Sequence, residues 1–186
     1  MTYVRRFSCT ERTLHWVNAA GFLTLLATGL VLWLPSLSVA VGRRPLVKDV
    51  HFWSGIGWVS ALVLVALLGD RRGLLRTARE LERLDHDRFN PGQKVNAILS
   101  AAFCVLFLVS GLLLWLGERD TRFRFASTVV LHDAVTLGAL ALLAGHLYFA
   151  VLNPATRHSL RGITRGTVDE HWARVHHRRW EPPPAD

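Results

Sequence analysis

The sequence predicts an all-α integral membrane fold, a bundle of four spanning helices with both termini cytoplasmic. Three observations carry this expectation. Four apolar blocks approach or exceed the roughly 20 residues needed to cross a hydrocarbon core. Basic residues crowd the segments between them. Those basic residues are distributed unevenly between alternate segments. With 186 residues the chain is long enough for one domain over 1–186, and it is 51% apolar yet carries a formal net charge of +8. Such a mixture points to segregation, with apolar blocks in lipid and basic blocks at the membrane surface, and not to nucleic-acid binding.

The first block runs from about Leu14 to Leu34 and stops at Pro35. The second runs from about Val50 to Gly69 and ends at Asp70, Arg71 and Arg72. The third covers about Val95 to Leu116, and the fourth about Val129 to Leu152, closed by Asn153 and Pro154. In lipid every backbone amide must be satisfied internally, and no strand-like alternation supports a barrel, so all four blocks are expected to be helices. Between the second and third blocks, Arg79, Glu80, Glu82, Arg83, Asp85, Asp87 and Arg88 mix charges of both signs, which predicts a solvated, partly helical surface segment. Residues 153–186 read as a cytoplasmic tail, frayed at Pro182-Pro183-Pro184.

Lys and Arg counts set the expected orientation. The N-terminal segment, second loop and tail together hold sixteen, against six in the first and third loops. This predicts cytoplasmic termini and a multi-pass protein of the bacterial inner membrane. Trp33, Trp53 and Trp115 then fall near outer helix ends, where an aromatic belt belongs. Arg5, Arg6 and Arg12 precede the first apolar block without a small-residue cleavage site, so no cleaved signal is expected. The two cysteines, Cys9 and Cys104, are too few and too scattered for a disulfide framework, and no Cys-x-x-Cys-His is present to attach haem covalently.

Four of the nine histidines lie inside the apolar blocks: His15, His51, His132 and His146. Ionisable residues at membrane depth are costly and point to function. On the expected topology His51 and His132 lie toward the outer face, and His15 and His146 toward the cytoplasm. His132 and His146 are fourteen residues apart, roughly 21 Å and close to four turns of one helix, so they share a face. The pairing expected is His51 with His132 and His15 with His146: two bis-imidazole pairs stacked across the bilayer, as transmembrane electron transfer requires. Neutral imidazole suits six-coordinate haem iron. The competing readings are hydrogen-bonded packing histidines and a zinc site, though no compact four-ligand cluster stands in the apolar blocks. Gly21, Gly29, Gly55, Gly57, Gly138 and Gly145 would let a flat macrocycle approach the backbone, or simply pack helices closely. His171, His176 and His177 read as solvated surface residues, whereas His86 and His158, nearer the membrane, are placed to assist proton movement.

The segments Arg12-Thr13-Leu14-His15-Trp16, Thr28-Gly29-Leu30, His51, Phe89-Asn90-Pro91-Gly92-Gln93-Lys94-Val95-Asn96, His132 and His146-Leu147-Tyr148 together resemble the cytochrome b (gamma) subunit of membrane-bound formate dehydrogenase. The tail Trp172-Ala173-Arg174-Val175-His176-His177-Arg178-Arg179-Trp180 resembles that family's closing signature, with Arg178 where the family usually has proline. The resemblance covers nearly the whole chain, and the histidine layout is shared with the b-type cytochromes of nickel–iron hydrogenases.

The resemblance implies two b haems, the outer on His51 and His132 and the inner on His15 and His146. It also implies an iron–sulfur partner and a catalytic subunit as the source of electrons, and a quinone reduced near the cytoplasmic face at Asn90, Gly92 and Gln93. The residues themselves agree with that last role. Asn90 and Gln93 are amides at a membrane boundary, and Gly92 allows close approach. They also read as a helix start, with Asn90 as N-cap and Pro91 at the first position. No cysteine cluster, molybdenum or nickel site or nucleotide loop is present in the sequence, so the expected part is that of a non-substrate-oxidising subunit. A hydrogenase cytochrome, a free-standing quinone-linked cytochrome, and a haem-free transporter or assembly factor are the alternative readings.

Overall fold

The computed structural model describes residues 2–82 and 87–181. Four helices are long and apolar enough to cross a membrane. They are α1 (Cys9–Trp33), α3 (Arg44–Leu68), α5 (Pro91–Gly117) and α6 (Ala126–Leu147), the last continued by a π-helical turn, Tyr148–Leu152. Each begins earlier in the chain than its apolar block. Polar residues such as Glu11, Lys48 and Asp49 continue the helix beyond its apolar run, because helical hydrogen bonding does not stop where hydropathy does. Many large apolar side chains on these helices are exposed, among them Leu68 at 83% and Val130 at 68%, as lipid-facing positions should be.

Shorter elements join them. Pro35 ends α1 as expected but also opens α2 (Pro35–Val41) at the first helical position, where its missing N–H costs nothing. Gly42, with φ 67°, closes α2 in the left-handed conformation. The middle segment contains α4 (Arg71–Leu81), capped by the Asp70 carboxylate accepting from the Gly73 N–H at 2.9 Å. Arg83 and Asp85 of the mixed-charge run lie outside the described residues, as do His86, Pro182, Pro183 and Pro184. The tail holds α7 (Leu160–Arg165), a strand β2 (Thr167–Asp169) and α8 (Glu170–His176).

The chain divides into two compact units. One comprises Met1–His15, Val65–Ala102 and Ala139–Asp186; the other comprises Trp16–Leu64 and Phe103–Gly138.

In the first unit a small ribbon departs from the all-helical expectation. Strand β1 (Tyr3–Arg5) pairs antiparallel with β2, Val4 opposite Val168. Val4, Val168 and Ala173 form a buried cluster flanked by Trp172 and Trp180. Three-residue strands are too short to show a period-2 pattern. Gly166, at φ 85°, ends α7 and turns the chain into β2, and its carbonyl accepts from the Arg6 and Phe7 N–H groups at 2.8 and 3.1 Å.

His177 corrects an expectation. It is not a solvated surface residue but 2% exposed, with Nδ1 2.8 Å from the Asp87 carbonyl and its ring packed against Trp172 and Trp180. His176 is half-buried and stacks on Trp172, while His171 and His158 are exposed. Arg178, at the position of the family's proline, is exposed and does not prevent the tail from docking.

In the second unit Gly21 lies directly against the Trp58 side chain, and Gly138 faces Phe103. Both glycines serve helix packing rather than an open cleft.

Replacing His177 by Ala removes its hydrogen bond with the Asp87 carbonyl and opens a gap between two tryptophans. We expect a loss of about 1–3 kcal/mol, seen as a lower thermal midpoint in detergent, whereas His171→Ala leaves it unchanged. Equal midpoints for the two variants would contradict the burial of His177.

Candidate functional site

Both expected histidine pairs are assembled, each within one unit. His15 of α1 faces His146 of α6 with ring centres 6.0 Å apart. His51 of α3 faces His132 of α6 at 6.3 Å. A metal–imidazole bond of about 2 Å, with each ring centre roughly 1 Å behind its nitrogen, places two axial rings about 6 Å apart across one metal. Ordinary ring contacts also occur at this distance, as between Phe22 and Phe107 at 6.4 Å; what suits a metal between the rings is that both pairs at this spacing are histidines on apolar helices. Among the described residues no group of three or more His, Cys, Asp or Glu side chains gathers to hold a metal ion, so each site offers two nitrogens and no more.

Hydroxyl groups set the tautomer of the second pair. Thr28 Oγ1 lies 2.8 Å from His51 Nδ1, and Ser110 Oγ lies 2.8 Å from His132 Nδ1. Each hydroxyl already donates its single proton to a carbonyl of its own helix, Thr28 to Thr24 at 2.9 Å and Ser110 to Leu106 at 2.6 Å. With the hydroxyl proton on the backbone, each oxygen presents a lone pair to the ring, and the tautomer that matches it carries its proton on Nδ1 and donates. Nε2 is then left bare on both rings, the form an iron ligand needs. Ser110 is fully buried, which fixes its ring firmly.

Thr28 and Ser110 were not given this role from the sequence. The signal that finds them is a hydroxyl on a neighbouring helix at the depth of an intramembrane histidine, which needs helix pairing to recognise.

Glycines leave room beside the His51 and His132 rings. A Cβ on Gly29 would stand 3.4 Å from His51 Cε1, and one on Gly111 3.9 Å from His132 Cε1. Gly57 and Gly145 face open space. Of the six glycines expected to admit a macrocycle, Gly29 thus borders the His51 ring and Gly57 and Gly145 face space, whereas Gly55 contacts Leu25. Just beyond His146, α6 widens into its π-helical turn, with the Asn153 N–H reaching the Tyr148 carbonyl at 2.9 Å. Such turns recur at functional sites.

The segment of Asn90, Gly92 and Gln93 belongs to the same unit as His15 and His146. It forms a reciprocal cap at the start of α5. The Gln93 N–H donates to Asn90 Oδ1 at 2.8 Å, and the Asn90 N–H donates to Gln93 Oε1 at 3.1 Å. The helix-start reading of Asn90 and Pro91 therefore holds. Gly92 is exposed, and Asn90 and Gln93 are half-buried.

The family profile of prokaryotic cytochrome b561 matches residues 6–166. The chain belongs to the prokaryotic cytochrome b561 family. As a cytochrome b561 it is a haem b protein of the membrane, and two facing imidazoles on lipid-crossing helices suit that group. Its relatives include the formate dehydrogenase cytochrome b556(fdo) subunit of Escherichia coli K12. That protein is 26% identical over 94% of this chain and 90% of its own length. The formate dehydrogenase cytochrome b556 subunit of Haemophilus influenzae is 28% identical over 96% of this chain and 82% of its own. The nitrate-inducible cytochrome b556(Fdn) subunit of Escherichia coli K12 is 23% identical over 91% and 86% respectively. The resemblance drawn from the motifs is thus to proteins related along nearly the whole chain.

Thr28→Val and Ser110→Ala each remove the acceptor of an Nδ1–H. A ring that loses it donates less electron density to iron, so the oxidised state is less favoured. In a redox titration, the midpoint of a haem held between His51 and His132 is expected to rise in both variants, by up to about 59 mV, a tenfold change for one electron. An unmoved midpoint in both would sink the tautomer assignment.

Proposed function

We propose that this chain is the quinone-reducing cytochrome b subunit of a membrane-bound formate dehydrogenase complex. On this reading both termini are cytoplasmic. An iron–sulfur partner, itself served by a catalytic subunit, delivers electrons at the outer face, and quinone is reduced near the cytoplasmic face. The observation that carries the reading is the double facing pair, His15 with His146 at 6.0 Å and His51 with His132 at 6.3 Å. Its link to formate dehydrogenase rests on relatives of that name matched over most of both lengths.

Each b haem, when bound, supplies a one-electron carrier. The work of the chain is to hold and tune it. His51 and His132 would ligate the outer haem, with Thr28 and Ser110 keeping Nε2 unprotonated. His15 and His146 would ligate the inner haem. The apolar faces of α1, α3, α5 and α6 exclude water from both. Asn90, Gly92 and Gln93 form the proposed quinone site. A partly exposed helix start brings amide donors and solvent together, so the reduced oxygens can be stabilised and then protonated from water.

Two measurements test this function. A pyridine haemochrome assay is expected to return about two b haems per chain, none of it covalent. His51→Ala and His132→Ala should erase the same spectral component, and His15→Ala and His146→Ala the other. A match between His51→Ala and His146→Ala would overturn the pairing.

In a Gln93→Leu variant both haems should be retained while their reoxidation by quinone slows. The loss of one charge-assisted hydrogen bond, about 1.5–3 kcal/mol, corresponds to roughly a ten- to hundredfold slowing. Normal reoxidation rates in the Asn90, Gly92 and Gln93 variants together would place the quinone elsewhere.

A further inference from the structure

The start of α5 is joined by a side chain that none of the sequence motifs brought to notice. Arg6 is 2% exposed, and its Nη2 donates to the Gln93 Oε1 at 3.2 Å and to the Arg88 carbonyl at 2.9 Å. Its guanidinium also lies over the rings of Phe7 and Trp172, 5.2 and 5.4 Å from their centres. Gly162 packs on its stem, where an added Cβ would come within 3.3 Å of Arg6 Cδ. The position of the guanidinium is therefore determined from several sides.

We propose that Arg6 is the positioning residue of the quinone site, holding the Gln93 amide so that its NH2 group is the face offered to a quinone carbonyl. This rests on the reading of Asn90, Gly92 and Gln93 as that site.

The orientation follows from donor and acceptor chemistry. Gln93 Oε1 is met by two groups, the Asn90 N–H at 3.1 Å and Arg6 Nη2. Both can only donate. An amide turned through 180° would set its own NH2 against two donors and lose both bonds. The oxygen must therefore point inward and Nε2 outward. Among the described residues nothing accepts from Gln93 Nε2, and it is not enclosed. Asn90 is locked in the same sense, since its Oδ1 is taken by the Gln93 N–H.

Charge adds to the geometry. The nearby carboxylates of Glu11 and Glu80 both pair with Arg88, at 2.8 and 2.9 Å. Arg6 makes no ion pair among the described residues, and its Nε and Nη1 are buried without hydrogen bonds. Burial, and secondly the like charge of Arg88, lower its pKa to about 10, so it remains a cation at neutral pH. A charged donor on the amide oxygen polarises the amide and strengthens Nε2–H as a donor. That help grows as the quinone oxygen gains negative charge, which is the condition for acting on the rate.

The test uses the full-length chain loaded with haem, reduced with dithionite and mixed with decylubiquinone in a stopped-flow instrument. Wild type, Arg6→Met, Arg6→Lys, Gln93→Leu and the Arg6→Met/Gln93→Leu double variant are compared for maximal rate and half-saturating quinone concentration. Arg6→Met should slow maximal reoxidation roughly ten- to a hundredfold, as Gln93→Leu does. The double variant should be no slower than either single one, because both changes remove the same interaction. Arg6→Lys, which still donates from a cation, should recover most of the rate.

A purely structural Arg6 would give additive losses and no rescue by lysine, and either result overturns the proposal. So does a wild-type rate in Arg6→Met beside a slow Gln93→Leu, which leaves the quinone site itself standing. If Gln93→Leu is also at the wild-type rate, it is the quinone site that fails. Should Arg6→Met not assemble with haem, Arg6→Gln replaces it with the same requirements: at least tenfold slowing, and no further loss when combined with Gln93→Leu.

Discussion

Lipid offers no hydrogen bonds, and this constraint reaches every level of the molecule. It forces the four apolar segments into helices, since only there is each N–H and C=O matched within its own segment. It also governs the polar side chains carried by those helices. An imidazole in such surroundings must find a partner, and the second unit supplies one in Thr28 for His51 and another in Ser110 for His132. Because those hydroxyls are already committed as donors to their own backbones, the same bonds that make the imidazoles tolerable also decide which nitrogen is bare. Satisfying a buried polar group also prepares the ring for the ligand role proposed for it.

The ends of the helices follow a different logic, because water is within reach and charge is affordable there. Two helix starts in the first unit are closed by the same reciprocal device, Ser8 with Glu11 at α1 and Asn90 with Gln93 at α5. Arg88 ties them together. It pairs with Glu11 and Glu80, donates to Thr77 at 2.7 Å and reaches the Arg6 carbonyl at 3.1 Å. Arg6 returns the contact through the Arg88 carbonyl. The N-terminal strand, the ribbon it makes with β2 and the buried His177 extend this network to the tail. Residues that a hydropathy profile treats as loop are therefore tied together by side-chain hydrogen bonds and ion pairs. The proposed quinone amides sit within that network, where their orientation is dictated by their neighbours.

The amino-acid order alone determined the four spans, the Pro35 stop and the four intramembrane histidines, because length and hydropathy report directly on what lipid accepts. It also determined the two facing pairs. A fourteen-residue spacing on one helix and the alternation of chain direction leave few other ways to match these four histidines. The cap at Asn90 was legible for the same reason, since a capping box is local in sequence.

What only the tertiary structure decided is non-local. The ribbon joins residues 3–5 to 167–169, and strands that short carry no periodic signal. The burial of His177 depends on a carbonyl ninety residues away, at Asp87, so its sequence surroundings made it look solvated. The roles of Thr28, Ser110 and Arg6 depend on which helix face meets which. Gly21 shows the same limit: in sequence it is equally a haem cleft or a packing site, and only the Trp58 ring lying against it settles the matter. Local chemistry is written in local sequence. The direction in which a lone pair or an amide points is set by neighbours that the chain brings together only when it folds.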